Sequence, residues 1–501
     1  MNLPRQAGAA QRPLMSAARS SLSKPSVHMW VYVSVTLMLL LAFAVRLFRL
    51  DAQSFWYDEI ETIRYARNLL DWDTHPPAYY ALMSLVLQVG RSEFILRFPT
   101  VLQDMLSVAV VFSLSRRLLG LKTALMAALL VGLSAALVWH AQDMRMYSQQ
   151  VLSTLLVAYT YGAVLERPNR RRWGVFVLTS LFALYTHLYA VMMLGLLVLH
   201  YLICQRKYFR QWFRANAVIA MGYLPWLYVL VNTPAKRIGT ERANILLGFP
   251  YAFFTFASGY SIGPSVNEIR LDALQALNAY LPILVGLTGV VLVLFVTGSV
   301  ALWRQDRTKF ALLFLWIFLP PFAAVGVPLL RPDLTFNVRY ILFCVPPFLI
   351  LLAHGAVQMR PRWLGIALMS FLLIANALSL FNLNTDPRYA KEDVRGAARY
   401  LAAQMRPEDG VVTITVGNAV RWYLGSDRLI VSNLPTRPAV SIFAEAQQAA
   451  PDGRLWLVKT RAWQTDPKGV LEGLFLSEYA VGDVAQFAGV TVYELCRDTC
   501  P

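Results

Sequence analysis

The chain has 501 residues, 57% of them hydrophobic and 15% charged, with a formal net charge of +17. That apolar share lies well above the roughly 45–50% of an ordinary soluble domain, which excludes a water-soluble globular chain and points to a polytopic, mainly α membrane protein. The positive charge does not by itself indicate nucleic acid, because basic residues confined to one side of a bilayer set topology instead.

In chain order, residues 1–28 lack an apolar core and a small-residue cleavage site, and read as a basic, disordered cytoplasmic tail rather than a signal peptide. Apolar runs follow at about 29–49, 96–115, 121–139, 148–165, 173–187, 189–204, 215–232, 279–303, 310–330, 340–358 and 363–382, most of them near the ~20 residues that cross hydrocarbon. They predict about eleven transmembrane helices in a domain over 29–385. The run "AYYALMSLVLQVG" has only 13 residues before Arg91; it is short enough to lie in the interface and is kept within an outer loop over 50–95.

With that choice the inner segments hold 20 Lys/Arg against Glu166 and Asp306, while the rest of residues 1–385 holds 13 Lys/Arg against 13 Asp/Glu. The basic excess then sits on one side, which predicts a multi-pass plasma-membrane protein with a cytoplasmic N-terminus. Residues 173–203 read as two short helices joined outside around "YTHLY" (185–189), since one long crossing would set two arginine-rich loops on opposite sides.

From 386 to 501 the chain turns polar, with 13 Lys/Arg and 14 Asp/Glu, and predicts a small extracytoplasmic α/β domain. "KEDVRGAARYLAAQM" and "VSIFAEAQQAA" read as helices; "GVVTITVG", "RLIVSN" and "RLWLVKT" read as strands. Cys496 and Cys500 either close a small disulfide loop in an oxidising compartment or stay free thiols.

Chemistry concentrates in the outer loops. Ser54 is the expected N-cap of an amphipathic helix over 55–70, lying on the outer membrane surface, with a second amphipathic helix over 78–90. Asp58 and Glu59 fall in its first turns, where the helix dipole alone stabilises acids by roughly 0.3–1 kcal/mol. Their company points further: Asp58, Glu59, His75, Asp143, Arg145, Tyr147, His187, Arg339 and Tyr340 all lie at span ends or in outer loops. Arginine forks suit phosphate and a carboxylate takes a proton, which fits a phosphate-bearing lipid substrate. The plainer reading of Arg145 and Arg339 is snorkelling from helix ends.

Arg97 and Asp104 share one face of the second span, where contacts that fix the bundle are expected. No structural zinc spacing, Gly-rich phosphate loop or Gly-x-Ser-x-Gly elbow is present. Two rival classes are a polyprenyl-lipid transporter or flippase and a non-catalytic receptor built on the outer domain.

"RLDAQSFWYDE", "HPPAYY", "EFILRFPTVL", "AQDMRMYS" and "NVRYILFCVPPFLILLAHG" stand in that order over residues 29–382. Together they resemble the landmarks of GT-C membrane glycosyltransferases of the protein O-mannosyltransferase and lipid A aminoarabinose transferase type. The resemblance implies a sugar transferred, with inversion, from a polyprenyl-phosphate donor to an acceptor protein, lipid or glycan on the outer face. It implies Asp58 as the catalytic acid position with Glu59 beside it, and His75, Arg145, Arg339 and Tyr340 around the donor phosphate. Asp143 and Tyr147 would line the cleft; His187, from its place in the short outer turn, is a further candidate for that lining, its plainer reading being a hydrogen-bonded helix-end histidine. No resident cofactor is implied; a divalent metal between Asp58 and the donor phosphate is left open. The segment 233–278 matches no landmark, so the acceptor is left unnamed.

Overall fold

A computed structural model describes residues 27–69, 75–233, 245–265, 268, 272–330, 336–415, 417–425, 430–433, 437–450, 454–498 and 500. The expected tail over 1–28 falls almost wholly outside them. The helical part comprises α1 Val27–Leu47, α2 Tyr57–Arg67, α3 Ala78–Val89, α4 Glu93–Leu119, α5 Leu121–Gly132, α6 Ala135–Ala141, α7 Tyr147–Glu166, α8 Arg170–Thr186, α9 Ala190–Cys204 and α10 Phe209–Asn232. It continues with α11 Ile245–Ser258, α12 Ala273–Ala279, α13 Leu281–Gln305, α14 Arg307–Leu330, a 3-10 helix Val338–Cys344 leading into α15 Val345–Gln358, and α16 Arg362–Thr385.

Helices stand at all eleven expected crossing positions. Among the described residues seven of them are individually long and apolar enough to cross a membrane, or eight if the bent pair α5–α6 counts as one. The others miss the test for physical reasons. α7 opens with Ser148, Gln149 and Gln150, all buried, and a helix sheathed by protein needs no lipid-like surface. α8 and α9 have 17 and 15 residues.

The break between α5 and α6, a bend of 54°, frees backbone groups that lipid could not satisfy. Arg46 on α1 donates to the carbonyls of Gly132 and Val131 at 2.6 and 3.4 Å, and Asn376 on α16 accepts from the Ala135 amide at 2.9 Å. Arg46 also binds Asp104 at 2.5 Å, so the mid-span aspartate fixes the bundle as expected, with α1 as its partner.

The surface helix expected over 55–70 runs from Tyr57 to Arg67, and its cap is Trp56 rather than Ser54. Ser54 instead donates to the Glu392 carbonyl at 2.6 Å. Six of the eleven residues of α2 are buried, so it is packed under other elements rather than laid on lipid. Among the described residues, α11 and α12 stand in the stretch for which no landmark is expected.

After Thr385 come α17 Val394–Gln404, β1 Gly410–Ile414, α18 Gly417–Leu424, β2 Ile430–Asn433, α19 Ala439–Ala449, β3 Leu455–Lys459, α20 Ala462–Thr465, α21 Val470–Glu478, β4 Ala480–Phe487 and β5 Val490–Cys496. The sheet order is β2-β1-β3-β5-β4; β2, β1 and β3 are parallel, and β5 and β4 are antiparallel. The five C-terminal elements expected from the sequence are all present. The hairpin β4–β5 was not anticipated, because Gly482 and Asp483 interrupt the strand alternation of β4 and the register shifts there. Cys496 and Cys500 are disulfide-bonded.

Alternation along β1 and β3 divides the domain's core. Val411, Trp456 and Val458 join the apolar cluster that runs into the helical bundle, while Val412, Ile414 and Leu457 join a separate cluster with α19 and α21. The sheet is therefore covered on both faces, one of them toward the membrane part.

Helix packing in the bundle depends on small residues where α13 meets α15. A Cβ on Gly355 would strike the Leu294 carbonyl oxygen, and one on Gly298 would strike that of Leu351; both obstacles are backbone and cannot swing aside. Gly355→Ala is expected to lower the thermal stability of the detergent-purified protein by about 1–3 kcal/mol through overpacking. Gly289→Ala on the same helix as Gly298, where a Cβ meets nothing, should be neutral or stabilising.

Candidate active site

The site is built around the segment 50–59, which has no regular structure until α2 begins and must place its carbonyls somewhere. Arg97, buried on α4, takes them. Its guanidinium donates to the carbonyls of Leu50 and Gln53 at 2.9 Å each and of Ser54 at 3.1 Å. The remaining N–H groups grip Glu59 bidentately at 2.8 and 2.7 Å. All five donors of the arginine are thereby used.

Glu59 is as fully occupied as its partner. Besides Arg97 it accepts from the Met144 amide at 2.8 Å and the Trp56 amide at 3.4 Å, and Lys391 stands 3.6 Å away. Burial alone would raise this carboxyl, but Arg97, Lys391 and those hydrogen bonds outweigh it and hold it below the usual range. Asp143 lies in the same buried cluster, accepting from the Trp56 indole at 2.7 Å with Lys391 at 3.4 Å. Its burial, together with the Glu59 charge, outweighs Lys391 and pushes its carboxyl up.

One residue before Glu59, Asp58 projects differently. It is partly exposed, and its Oδ2 meets Arg339 Nη1 at 2.5 Å. Arg145 donates to the Asp58 carbonyl and the Thr62 hydroxyl at 2.9 Å each, and its Nε, also buried, bonds to no group among the described residues. Burial pushes the Asp58 carboxyl up, yet Arg339, Arg145 and Arg461 overcome that and hold it down to about 2. The folded value lies below the unfolded one, so the interaction contributes stability above about pH 4 and loses it as the pH falls through the folded value.

Aromatic rings wall the pair. The Arg339 guanidinium lies 5.5 Å from the Trp56 ring centre and 5.6 Å from those of Tyr147 and Tyr340. Gln150 ties the Tyr340 carbonyl at 2.9 Å to His187 Nδ1 at 3.2 Å. Burial first, then the charges of His75, Arg145 and Arg339, hold the His187 imidazole down to about 3, so it is neutral at physiological pH. His75 sits beside Tyr80, ring centres 6.4 Å apart.

Of the sequence candidates, the structure brings Asp58, Arg145, Arg339, Tyr147, Tyr340 and His187 into one cluster, with His75 near His187. Glu59 and Asp143 belong to the adjoining buried charge cluster. Sequence reasoning missed Trp56, Lys391, Gln150 and Arg461. Trp56 was recoverable as the indole next to the carboxylates; Lys391 and Arg461 carry no local signal, because they arrive from the far side of the domain boundary.

For a metal, the three-residue group among the described residues is Glu494, Cys496 and Cys500, and its sulfurs are tied in the disulfide. In the active-site region Asp58 and Glu59 are each already neutralised by arginine.

Comparison with known proteins bears on the architecture. Residues 74–233 match the family described as dolichyl-phosphate-mannose-protein mannosyltransferase. No curated protein matches the chain in sequence. Among solved structures, ArnT from Cupriavidus metallidurans in the apo state is similar at a TM-score of 0.57 and 12% identity, over 94% of this chain and 98% of that one. The same protein bound to undecaprenyl phosphate gives 0.55 and 14%, over the same shares. The oligosaccharyltransferase AglB from Archaeoglobus fulgidus, in complex with an inhibitory peptide and a dolichol-phosphate, gives 0.55 and 10%, over 95% of this chain and 75% of that one.

The fold is the one seen in these ArnT and AglB structures. Within this frame the Arg97–Glu59 pair is the internal support of the 50–59 loop. Glu59→Gln leaves Arg97 buried without its counter-charge and is expected to cost about 3–5 kcal/mol of stability, read as a lowered melting temperature. The double variant Glu59→Gln with Arg97→Met should recover part of that loss, because it removes the stranded charge.

Proposed function

We propose that this chain is a membrane glycosyltransferase that moves a sugar, with inversion, from a polyprenyl-phosphate donor to an acceptor on the extracytoplasmic face, with Asp58 as base. The observation that carries this reading is the partly exposed Asp58–Arg339 ion pair with Arg145 behind it. It sets a carboxylate that can accept a proton beside two arginines whose guanidinium groups suit phosphate. The family matched over 74–233 is described by a dolichyl-phosphate sugar, and similar folds bind undecaprenyl phosphate and dolichol-phosphate, which supports the same class of donor.

In the reaction the acceptor oxygen forms a bond to the anomeric carbon as that carbon's bond to the phosphate oxygen breaks. The phosphate leaves with the electron pair, and the acceptor proton passes to Asp58. Arg339 and Arg145 stabilise the growing phosphate charge, with the neutral His187 and the rings of Tyr147 and Tyr340 shaping the wall. A carboxylate held at about 2 by arginines is a weak base. Arrival of the phosphate draws Arg339 away from Asp58 and raises its basicity at the moment it is needed. Glu59, saturated by Arg97, positions Asp58.

Asp58→Asn is expected to keep undecaprenyl phosphate binding, because Arg339 is released to the ligand, while transfer falls by about 10²–10⁴-fold. Normal transfer by that variant would remove Asp58 from the chemistry. The wild-type pH profile should also divide: the acid limb of kcat/KM reports the free enzyme and lies low, whereas that of kcat lies higher, toward an ordinary carboxylate.

The orientation with the C-terminal domain outside is tested by labelling single cysteines placed at Asp51 and at Asn169 with a membrane-impermeant reagent. Only the cysteine at 51 should react in intact cells. Reaction at both, or at 169 alone, would reject this topology.

A further inference from the structure

Arg461 belongs to the C-terminal domain, in the turn between β3 and α20, yet it reaches the loop that carries Asp58. Its guanidinium lies 5.0 Å from the centre of the Trp56 ring. Arg339 and Lys391 lie 5.5 and 5.9 Å from the same ring. Three cations from three separate segments thus surround one indole, whose Nε1 is anchored on Asp143.

Two further observations show that the position is built. Arg461 has φ 42° and ψ 39°, a left-handed conformation that a residue with a side chain keeps only when its surroundings impose it. Its Nε is fixed on Glu392 Oε1 at 2.5 Å, and the Glu392 carbonyl in turn holds Ser54. The two terminal nitrogens bond to no group among the described residues, so the fork is oriented but unspent. Such a fork matches phosphate geometry.

Resting on the donor class proposed above, we infer that Arg461 is a positioning residue of the phosphate site, supplied by the C-terminal domain. It steadies Trp56 between the Arg339 and Lys391 cations and adds positive charge where a lipid-borne phosphate meets the Asp58–Arg339 pair. The domain is then a working part of the site rather than a separate appendage.

The test is binding of undecaprenyl phosphate to the full-length protein in detergent, followed by intrinsic tryptophan fluorescence at low and high salt. Arg461→Gln should weaken binding by about three- to tenfold at low salt, with the difference narrowing at high salt. Arg461→Lys, which keeps the charge, should fall between wild type and the glutamine variant. Lys459→Gln, on the same domain but paired with Glu472 at 2.7 Å, should bind like wild type. Wild-type affinity in Arg461→Gln overturns the inference. A loss that salt does not change also overturns it, since that would be the mark of a purely structural role. If the wild-type protein itself does not bind undecaprenyl phosphate, both the donor reading and this inference fail.

Discussion

The interaction on which the rest depends is the clamp of Arg97 on the segment 50–59. A charged group in the bilayer region is tolerated only when its charge and all its donors are answered, and Arg97 answers one carboxylate and three carbonyls with nothing left over. The same bonds that make the arginine tolerable make the loop rigid. Because Asp58 and Glu59 are consecutive near the start of a helix, fixing Glu59 inward points Asp58 away from it, toward Arg339. A surface loop would leave that carboxylate free to choose among several cations; the clamp leaves it one direction.

The C-terminal domain holds the same loop from the opposite side. Tyr423 accepts from the Phe55 amide at 2.7 Å and donates to Glu93 at 2.7 Å, and Arg395 spans Glu93 and the carbonyls of Asp51 and Ala52. Lys391 and Glu392, at the start of the domain, reach Asp143 and Ser54. Hydrogen bonds of this number across one boundary, together with the shared apolar cluster, argue against a loosely tethered appendage, whose interface would be smaller and wetter. The loop is thus held between α4 on one side and the C-terminal domain on the other.

Much of this was legible in the sequence, and the limits have physical causes. Hydrophobic runs near ~20 residues located the helices because lipid imposes that length; the rule weakened for α7 to α9, which are shielded by protein or are short. The grouping of Asp58, Arg145, Tyr147, Arg339 and Tyr340 was readable because each stands at a span end or in a loop expected on the same side, and such positions share a depth. The partner of Asp104 was not, since Arg46 stands on a separate helix and only the packing of α1 against α4 brings it to the carboxylate. Ser54 looked like a cap because cap residues are recognised by type, whereas the chain gave its hydroxyl to Glu392 and let Glu59 close the capping box from within. Lys391 and Arg461 could not be found at all, because the contacts that matter join residues at least 248 positions apart.

The charge pattern of the site has a consequence for the proposed reaction. Arg339, Lys391 and Arg461 are each already matched by a carboxylate, respectively Asp58, Asp143 with Glu59, and Glu392. A cluster of bare arginines would bind a phosphate tightly, but it would hold the leaving phosphate after transfer just as tightly. Pre-paired cations make binding an exchange of partners, in which the attraction gained from phosphate is offset by the attraction given up by a carboxylate. Since the Asp58–Arg339 pair is partly exposed whereas Glu59 is fully buried against Arg97, the exchange proposed at this carboxylate pair falls on Asp58 and leaves the Glu59 pair intact. In the proposed reaction one event would then supply both the phosphate ligand and the freed base, and its reversal would expel the product while restoring the resting pair.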